Sequence, residues 1–505
     1  MLAYIDRLID RTTMYRVVLY YLSALLGCAF LLGMARATAV DPTALVFSAV
    51  LILAASLGAN WVFARVFNAV PNRESAFITA LILALILDPV TATNLAGVGL
   101  LLFASVWAMA SKYILTARRR HIFNPAALGV ALPGLLLNQP ASWWVSTIPW
   151  LLPVILIGGI VLVHKLRRFD LILAFGAANL AATLLTAAPG EALGAVKLTL
   201  LESPFFFMAF VMLTEPLTAP QHKLWRLLYG ALVGVLSSPN IGIAGYYFSP
   251  EVALLAGNLL TFVVSPKGRV TLTLERIEQV ASGAYDFVFR PDRQLAFAAG
   301  QYLEWTLPVR RPDDRGNRRY FTIASAPTEE LTRLGVKFSA GGSAFKRELA
   351  ELRQGDTIVA SQLAGSFTLP RDPRRKLVFI VGGIGITPFR SMLKELIDKG
   401  ESRPIIVLYG NRRASEIAYS DILDEAWDVL GIPTYHAVIE RDGAASGMKI
   451  GLIDEAMIRT KVPDFGDRTF YVSGPRPMVI AERKILRRMG VPSWRIRTDF
   501  FPGLA

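Results

Sequence analysis

The chain has 505 residues, 53% of them hydrophobic, with a formal net charge of +14 and a mean hydropathy of +0.44. That much apolar surface exceeds the needs of one water-soluble core and lies almost entirely before residue 266, which excludes a wholly soluble protein and leaves an embedded part with a soluble remainder. The positive charge would suggest nucleic acid in a soluble protein, but much of it sits in short loops between apolar segments, so membrane topology is expected and no nucleic-acid partner.

Apolar segments near 17–35, 43–64, 75–87, 95–114, 125–137, 148–163, 171–187, 204–213, 224–237 and 251–264 predict a polytopic α-helical membrane domain of about ten helices over 1–266. Cationic loops (Arg65 and Arg73; Lys112, Arg118, Arg119 and Arg120; Lys165, Arg167 and Arg168; Lys223 and Arg226; Lys267 and Arg269) alternate with loops holding only Arg36 and Lys197. The positive-inside rule then puts both termini and the soluble half in the cytoplasm, on a multi-pass protein of the cell inner membrane whose partner is the lipid bilayer. The first helix follows Arg7, Arg11 and Arg16 with no signal-peptidase site and is expected to be retained. Cys28, the single cysteine, forms no internal disulfide and holds no iron–sulfur cluster, and reads as a packing residue.

Within this half "ESAFITALILALILDPVT" (74–91) parallels "ESPFFFMAFVMLTEPLT" (202–218), and "HIFNPAAL" (121–128) more weakly parallels "YYFSPEVAL" (246–254). The spacing equates the third helix with the eighth and the fifth with the tenth, and an odd repeat of five helices must be inserted upside down. Proline-broken helices at matching positions of inverted halves mark a midplane site, so Asp88, Thr91, Asn124, Glu215 and Thr218 are candidates for a membrane flavin or ion site. The Asn124-Pro125 pair reads equally well as a helix cap. No metal site is expected.

The segments "SKYILTARRRHIFNPAALG", "LILDPVT" and "MLTEPLTAP" resemble the D subunit of Rnf complexes and the B subunit of the sodium-pumping NADH:quinone oxidoreductase, over roughly residues 15–265. Members of that family attach FMN through a Ser/Thr-Gly-Ala-Thr motif that this chain lacks, so the resemblance implies a noncovalent FMN or riboflavin here.

After residue 266 the pattern changes. Short alternating strands from "GRVTLTLERIEQV" to "GSFTLP" predict an antiparallel β-barrel over 267–373, and apolar strands alternating with helical stretches predict an α/β nucleotide domain over 374–505. In "RRYFTIAS" alternation sets Arg319 and Phe321 on one face and Thr322 on the other. "AGGSAFKREL" (340–349) offers Gly341, Gly342 and a helix starting near Ser343, while "VGGIGITPF" (381–389) is a glycine-rich turn between strand and helix.

In this order the motifs resemble the ferredoxin–NADP reductase superfamily. The resemblance implies that Arg319 pairs with the FAD pyrophosphate, Phe321 covers the isoalloxazine in place of the usual Tyr, and Thr322 hydrogen-bonds near the reactive N5, with Tyr320 in the same strand and Gly341, Gly342 and Ser343 in a second phosphate loop. It further implies that Gly382, Gly383, Gly385, Thr387 and Pro388 receive NAD(P)H, and that Asn411 and Arg412 handle its adenosine end. In "YVSGPRPM" Ser473 replaces a cysteine beside the nicotinamide, with Gly474, Pro475 and Met478. In "DFFPGLA" Asp499, Phe500 and Phe501 border the hydride-transfer site. Thr322, Ser473 and Asp499 are therefore the candidate catalytic residues. Arg412 and Arg413 can hold a 2′-phosphate or stay solvated, which leaves NADH and NADPH both open.

Of the four histidines, His436 lies in the soluble half and His121, His164 and His222 at cytoplasmic helix ends, where solvated or capping roles are expected. A two-haem wire is thus not expected, and neither haem nor an iron–sulfur cluster belongs to the expected cofactor set. The expected activity is that of an NAD(P)H-dependent, FAD-containing oxidoreductase feeding a noncovalent membrane flavin or quinone, with an outer-side acceptor beyond. The alternatives are a redox-driven ion transporter and a membrane-anchored flavin or ferric reductase.

Overall fold

The computed structural model describes residues 14–67, 73–117, 120–166, 168–243, 245–264, 269–307, 317–338, 342–441 and 443–499. The chain divides into two compact units, Met1–Gly268 and Arg269–Ala505.

The described part of the first unit is helical: α1 (Met14–Met34), α2 (Pro42–Val66), α3 (Arg73–Ile86), α4 (Leu95–Ile114), α5 (Pro125–Leu137), α6 (Leu152–Leu166), α7 (Phe169–Thr186), α8 (Ala192–Leu201), α9 (Phe205–Phe207), α10 (Lys223–Leu236) and α11 (Pro250–Val264). A π-helical turn, Met208–Met212, continues α9. The caps are local and legible. Asp41 accepts from the Thr43 amide ahead of Pro42, and Asn94 accepts from the Gly97 amide.

Five described helical stretches are long and apolar enough to cross a membrane, or six if Ala192–Leu201 and Phe205–Met212, bent by 59°, form one span. Glu74–Ile86, Pro125–Leu137 and Pro250–Val264 are shorter. The expectation of about ten membrane helices is therefore corrected: by length only five or six qualify. Pro89, Pro216 and the residues opening α5 and α11 cut the other apolar segments short of the roughly 20 residues a span requires.

Packing order recurs within the unit. α3 packs on α1 and α4 on α2; α9 packs on α6 and α10 on α7; α5 packs on α4 and α11 on α10. A two-residue strand pair precedes each proline-led short helix, β1 (Thr116–Ala117) with β2 (Arg120–His121) before α5, and β3 (Gly242–Ile243) with β4 (Tyr246–Tyr247) before α11. Glycines permit the closest approaches. A Cβ on Gly129 of α5 would lie 2.8 Å from the Ala104 carbonyl oxygen of α4, and one on Gly257 of α11 would lie 2.4 Å from Val233 Cγ2 of α10.

The second unit holds two sheets. β5 (Val270–Ala281), β6 (Ala284–Pro291), β7 (Tyr302–Thr306), β8 (Arg318–Thr322), β9 (Thr332–Lys337) and β10 (Thr357–Ala364) form an antiparallel sheet in the order β8-β7-β10-β5-β6-β9. Its core includes Leu272, Phe287, Trp305 and Ile323, with Phe345 from α12 (Ala344–Ala350). The parallel sheet runs β14-β13-β12-β11-β15-β16, from β11 (Leu377–Gly382), β12 (Ile405–Asn411), β13 (Thr434–Val438), β14 (Lys449–Ile450), β15 (Thr469–Ser473) and β16 (Ile496–Asp499). Its helices are α13 (Thr387–Lys399), α14 (Ser420–Leu430), α15 (Glu455–Lys461) and α16 (Arg476–Arg488). β11 is buried along its whole length, as a central parallel strand should be. The strand order reverses at β11, with β12 on one side and β15 on the other, and in open α/β sheets that reversal leaves a ligand crevice at the carboxyl ends.

Candidate functional site

β8 presents the flavin-type residues with the expected alternation. Arg319 and Phe321 both meet Phe345 of α12, the guanidinium 5.4 Å from the ring centroid and the Phe321 ring 5.8 Å from it. Arg319 Nη1 also donates to the Arg318 carbonyl at 2.7 Å. Tyr320 points the other way and donates from its hydroxyl to Glu304 Oε2 at 2.9 Å. Thr322 closes the strand. It is 2% exposed, and its buried Oγ1 has no hydrogen-bond partner. A buried hydroxyl left unpaired at the end of the strand that carries the cation and the aromatic ring is what a ligand site would leave. Ser343 caps α12 by accepting from the Lys346 amide at 3.3 Å, with Gly342 just ahead of it. Gly341, Phe500 and Phe501 lie outside the described residues.

The nucleotide-type residues converge on the crevice. Gly382, Gly383, Gly385, Thr387 and Pro388 carry the chain from β11 into α13, and Ser473, Gly474, Pro475 and Met478 carry it from β15 into α16. The two turns touch. A Cβ on Gly385 would stand 2.6 Å from Gly474 Cα and 2.7 Å from the Ser473 carbonyl oxygen, and one on Gly382 would stand 2.1 Å from Met478 Sδ. Gly383 has a φ of +51°, which favours glycine. Ser473 pairs in register with Val381 on one side and Asp499 on the other, so the candidate catalytic residues Ser473 and Asp499 sit side by side at the carboxyl edge. Asn411 ends β12, 6% exposed, with neither polar atom of its side-chain amide hydrogen-bonded.

Sequence reasoning missed the residues that hold these turns to the flavin strand. Arg390 of α13 donates to the Ala324 carbonyl at 3.1 Å and pairs with Glu329, and Ser391 Oγ donates to the Ser325 carbonyl at 2.7 Å. The Tyr419 hydroxyl, ahead of α14, donates to the fully buried Asp286 of β6. Arg390 carried a signal: it is a cation among the apolar residues Phe389, Met392 and Leu393 of one helix.

Glu482 of α16 is 4% exposed and its Oε2 has no hydrogen-bond partner. Burial first, then the charge of Asp454, pushes its carboxyl up to about 7 against the opposing pull of Lys449. Since this exceeds the ordinary value of 4.5, the folded chain holds the proton more tightly than the unfolded one. The resulting stabilisation is complete below the unfolded value and is lost as pH rises through about 7. Unfolding of the second unit is expected to grow easier between about pH 5 and about pH 8, and Glu482→Gln to flatten that profile with a gain of about 3 kcal/mol at the alkaline end. A thermal-denaturation series in which the variant keeps the wild-type slope would contradict this.

In the first unit, three of the five candidate residues come together. The Glu215 carboxylate accepts from Thr218 Oγ1 at 2.9 Å and lies 3.5 Å from His121 Nε2. With Asn124, Ser75, Thr79 and Thr214 it lines a cavity of about 60 Å³. That exceeds the roughly 10–15 Å³ of such space that one water needs. Lys112 Nζ donates to the Ser75 carbonyl and Oγ and to Thr79 Oγ1, at 3.1, 3.1 and 3.0 Å. Asn124 Oδ1 accepts from the Ala127 amide, so its side chain does cap α5, and its own amide donates to Asn258 of α11. Asp88 and Thr91 stand apart from this cluster. Both are exposed, and Thr91 Oγ1 bonds Thr93 Oγ1 at 2.9 Å. His121 was expected to be solvated or to cap a helix; its side chain is 13% exposed and lies 3.5 Å from Glu215. Glu251, buried and bonded by Trp143 Nε1 at 3.2 Å, was not singled out by the sequence.

The antiparallel sheet with its Arg-x-Phe-Thr strand, joined to a parallel sheet with touching glycine turns, gives the second unit the build of a ferredoxin–NADP-reductase-like module. Comparison with known proteins agrees. Residues 379–484 match the oxidoreductase NAD-binding domain family. A flavohemoprotein of Pseudomonas putida is 29% identical over 245 residues, 46% of this chain and 59% of that protein, and one of Halalkalibacterium halodurans is 28% identical, covering 48% and 59%. A flavohemoglobin from Malassezia yamatoensis, solved with bound FAD and heme, is 20% identical over 69% of this chain and 98% of its own, with a TM-score of 0.43. The chain thus spans under two thirds of the length of these curated relatives. The two flavohemoprotein relatives correct one expectation: the exclusion of haem does not stand.

When bound, FAD supplies the exchange of two-electron for one-electron chemistry. On the resemblance, Arg319 would hold the pyrophosphate, Phe321 would back the ring, Thr322 would offer its hydroxyl near it, and bare backbone at Gly382, Gly385 and Gly474 would admit the nicotinamide.

Proposed function

We propose that the chain is a membrane-integrated NAD(P)H-dependent flavoprotein oxidoreductase, with a transmembrane electron-transfer domain over 1–266, an FAD-binding barrel over 267–373 and an NAD(P)-binding domain over 374–505. Electrons taken up in the second unit pass to a noncovalent FMN or riboflavin, or to a quinone, and onward to an outer-side acceptor. The observation that carries this is the touching pair of glycine turns beside the Arg319 strand, on a chain whose first unit holds span-length apolar helices. The alternation of cationic loops supports a multi-pass protein of the inner membrane with its soluble unit in the cytoplasm. The resemblance of the first half to the Rnf and sodium-pumping oxidoreductase subunits supports a redox role for it.

Neutralising Glu215 tests the division of labour. Glu215→Gln is expected to keep NAD(P)H-driven reduction of a soluble dye and to lower quinone reduction by about tenfold or more, with Asp88→Asn milder because Asp88 lies outside the cluster. Equal loss of both activities in Glu215→Gln, at unchanged FAD content, would contradict the proposal. A second reading, redox-driven ion translocation, is favoured by the lining of the Glu215 cavity, where a carboxylate, an amide and three hydroxyls suit water or a small cation. Turnover in sealed vesicles that depends on sodium or on a proton gradient separates the two.

A further inference from the structure

We infer that the adenosine end of the nucleotide site is built for a free ribose 2′-hydroxyl, which makes NADH and not NADPH the reductant. This rests on the oxidoreductase reading of the second unit. β12 lies beside β11 with Gly410 opposite Gly382, so Asn411, Arg412 and Arg413 follow directly past the glycine turn on the side away from β15. Asn411 brings a buried amide with no hydrogen-bond partner to that edge, as a ligand subsite requires.

A 2′-phosphate would need the two guanidiniums, and both are engaged by one carboxylate. Arg412 Nε donates to Glu440 Oε1 at 2.7 Å and Arg413 Nε to Glu440 Oε2 at 2.5 Å. Glu440 is held there by the backbone as well, its amide donating to the Arg412 carbonyl at 2.9 Å. The two guanidiniums, Arg413 first, hold its carboxyl below the usual range, so it is ionised at neutral pH. A phosphate entering here meets a carboxylate of like charge that already occupies its cations. A ribose hydroxyl meets an acceptor, the arrangement by which acidic residues select NAD in nucleotide folds. Exposed ion pairs of this kind contribute little to stability, so holding the fold together does not account for the cluster.

The test uses the full-length, FAD-loaded protein. Steady-state dye reduction is compared with NADH and NADPH, and 5′-AMP and 2′,5′-ADP are titrated as binding probes. Wild type is expected to show kcat/KM for NADH at least about tenfold above that for NADPH, and weaker binding of 2′,5′-ADP than of 5′-AMP. Glu440→Gln should narrow the NADH to NADPH ratio by about tenfold and tighten 2′,5′-ADP binding. The double variant Arg412→Gln, Arg413→Gln should keep NADPH poor. A wild-type preference for NADPH overturns the inference, as does Glu440→Gln with both the ratio and 2′,5′-ADP binding unchanged. If Glu440→Gln fails to hold FAD, the wild-type ratio and the double variant still decide. Failure of the underlying reading looks different: neither nucleotide would reduce the bound flavin of the wild type.

Discussion

Gly385→Ala is expected to lower NAD(P)H-driven flavin reduction by about 100-fold while leaving FAD bound, because a displacement of about 1 Å at a reacting pair costs that much. The added Cβ would stand 2.6 Å from Gly474 Cα, 2.7 Å from Gly474 N and 2.7 Å from the Ser473 carbonyl oxygen. All three are backbone atoms, so no side-chain rotation relieves the clash and one turn must shift. β11 and β15 are fixed by their ladder and by a fully buried core, so the shift falls on the turns themselves. The flavin strand β8 belongs to the other sheet and is spared. Stopped-flow reduction and bound-flavin content, measured on the same preparation, check this. Wild-type reduction rates, or parallel loss of FAD, would refute it.

Arg319→Ala is expected to weaken FAD binding by about 10- to 100-fold, the worth of a charge-assisted contact of roughly 1.5–3 kcal/mol. The guanidinium is preorganised, lying over Phe345 and donating to the Arg318 carbonyl, so little side-chain freedom is lost when a pyrophosphate arrives. Arg319→Lys keeps the charge and loses the planar fork, and should recover only part of the affinity. Flavin retained at wild-type occupancy in Arg319→Ala after extensive dialysis would assign the phosphate contact elsewhere.

The two turns of the nucleotide crevice were legible because backbone contact imposes composition. Where Gly385 and Gly474 approach neighbouring backbone, a Cβ has no room, and the sequence carries that requirement openly. The strand "RRYFT" was legible for a similar reason, since period-two alternation sets its faces whatever the tertiary context. The ties between the sheets were not. Tyr419 and Asp286 are 133 residues apart and Arg390 and Glu329 are 61 apart, and no local pattern announces such pairs. In the first unit sequence symmetry paired Asp88 with Glu215, but their settings differ. Glu215 follows a π-turn that brings it to His121 and Thr218, whereas the chain after α3 leaves Asp88 exposed. Counting apolar segments also overestimated the spans, because it reads apolar composition and not the prolines that shorten α3, α5 and α11.

Anaerobic rapid mixing of the FAD-loaded, full-length protein with NADH, followed by flavin absorption, bears most directly on the central claim. Prompt bleaching is predicted in wild type and in Glu215→Gln, and bleaching slowed by about 100-fold in Gly385→Ala. No bleaching in wild type, or equal rates in wild type and Gly385→Ala, would contradict the account.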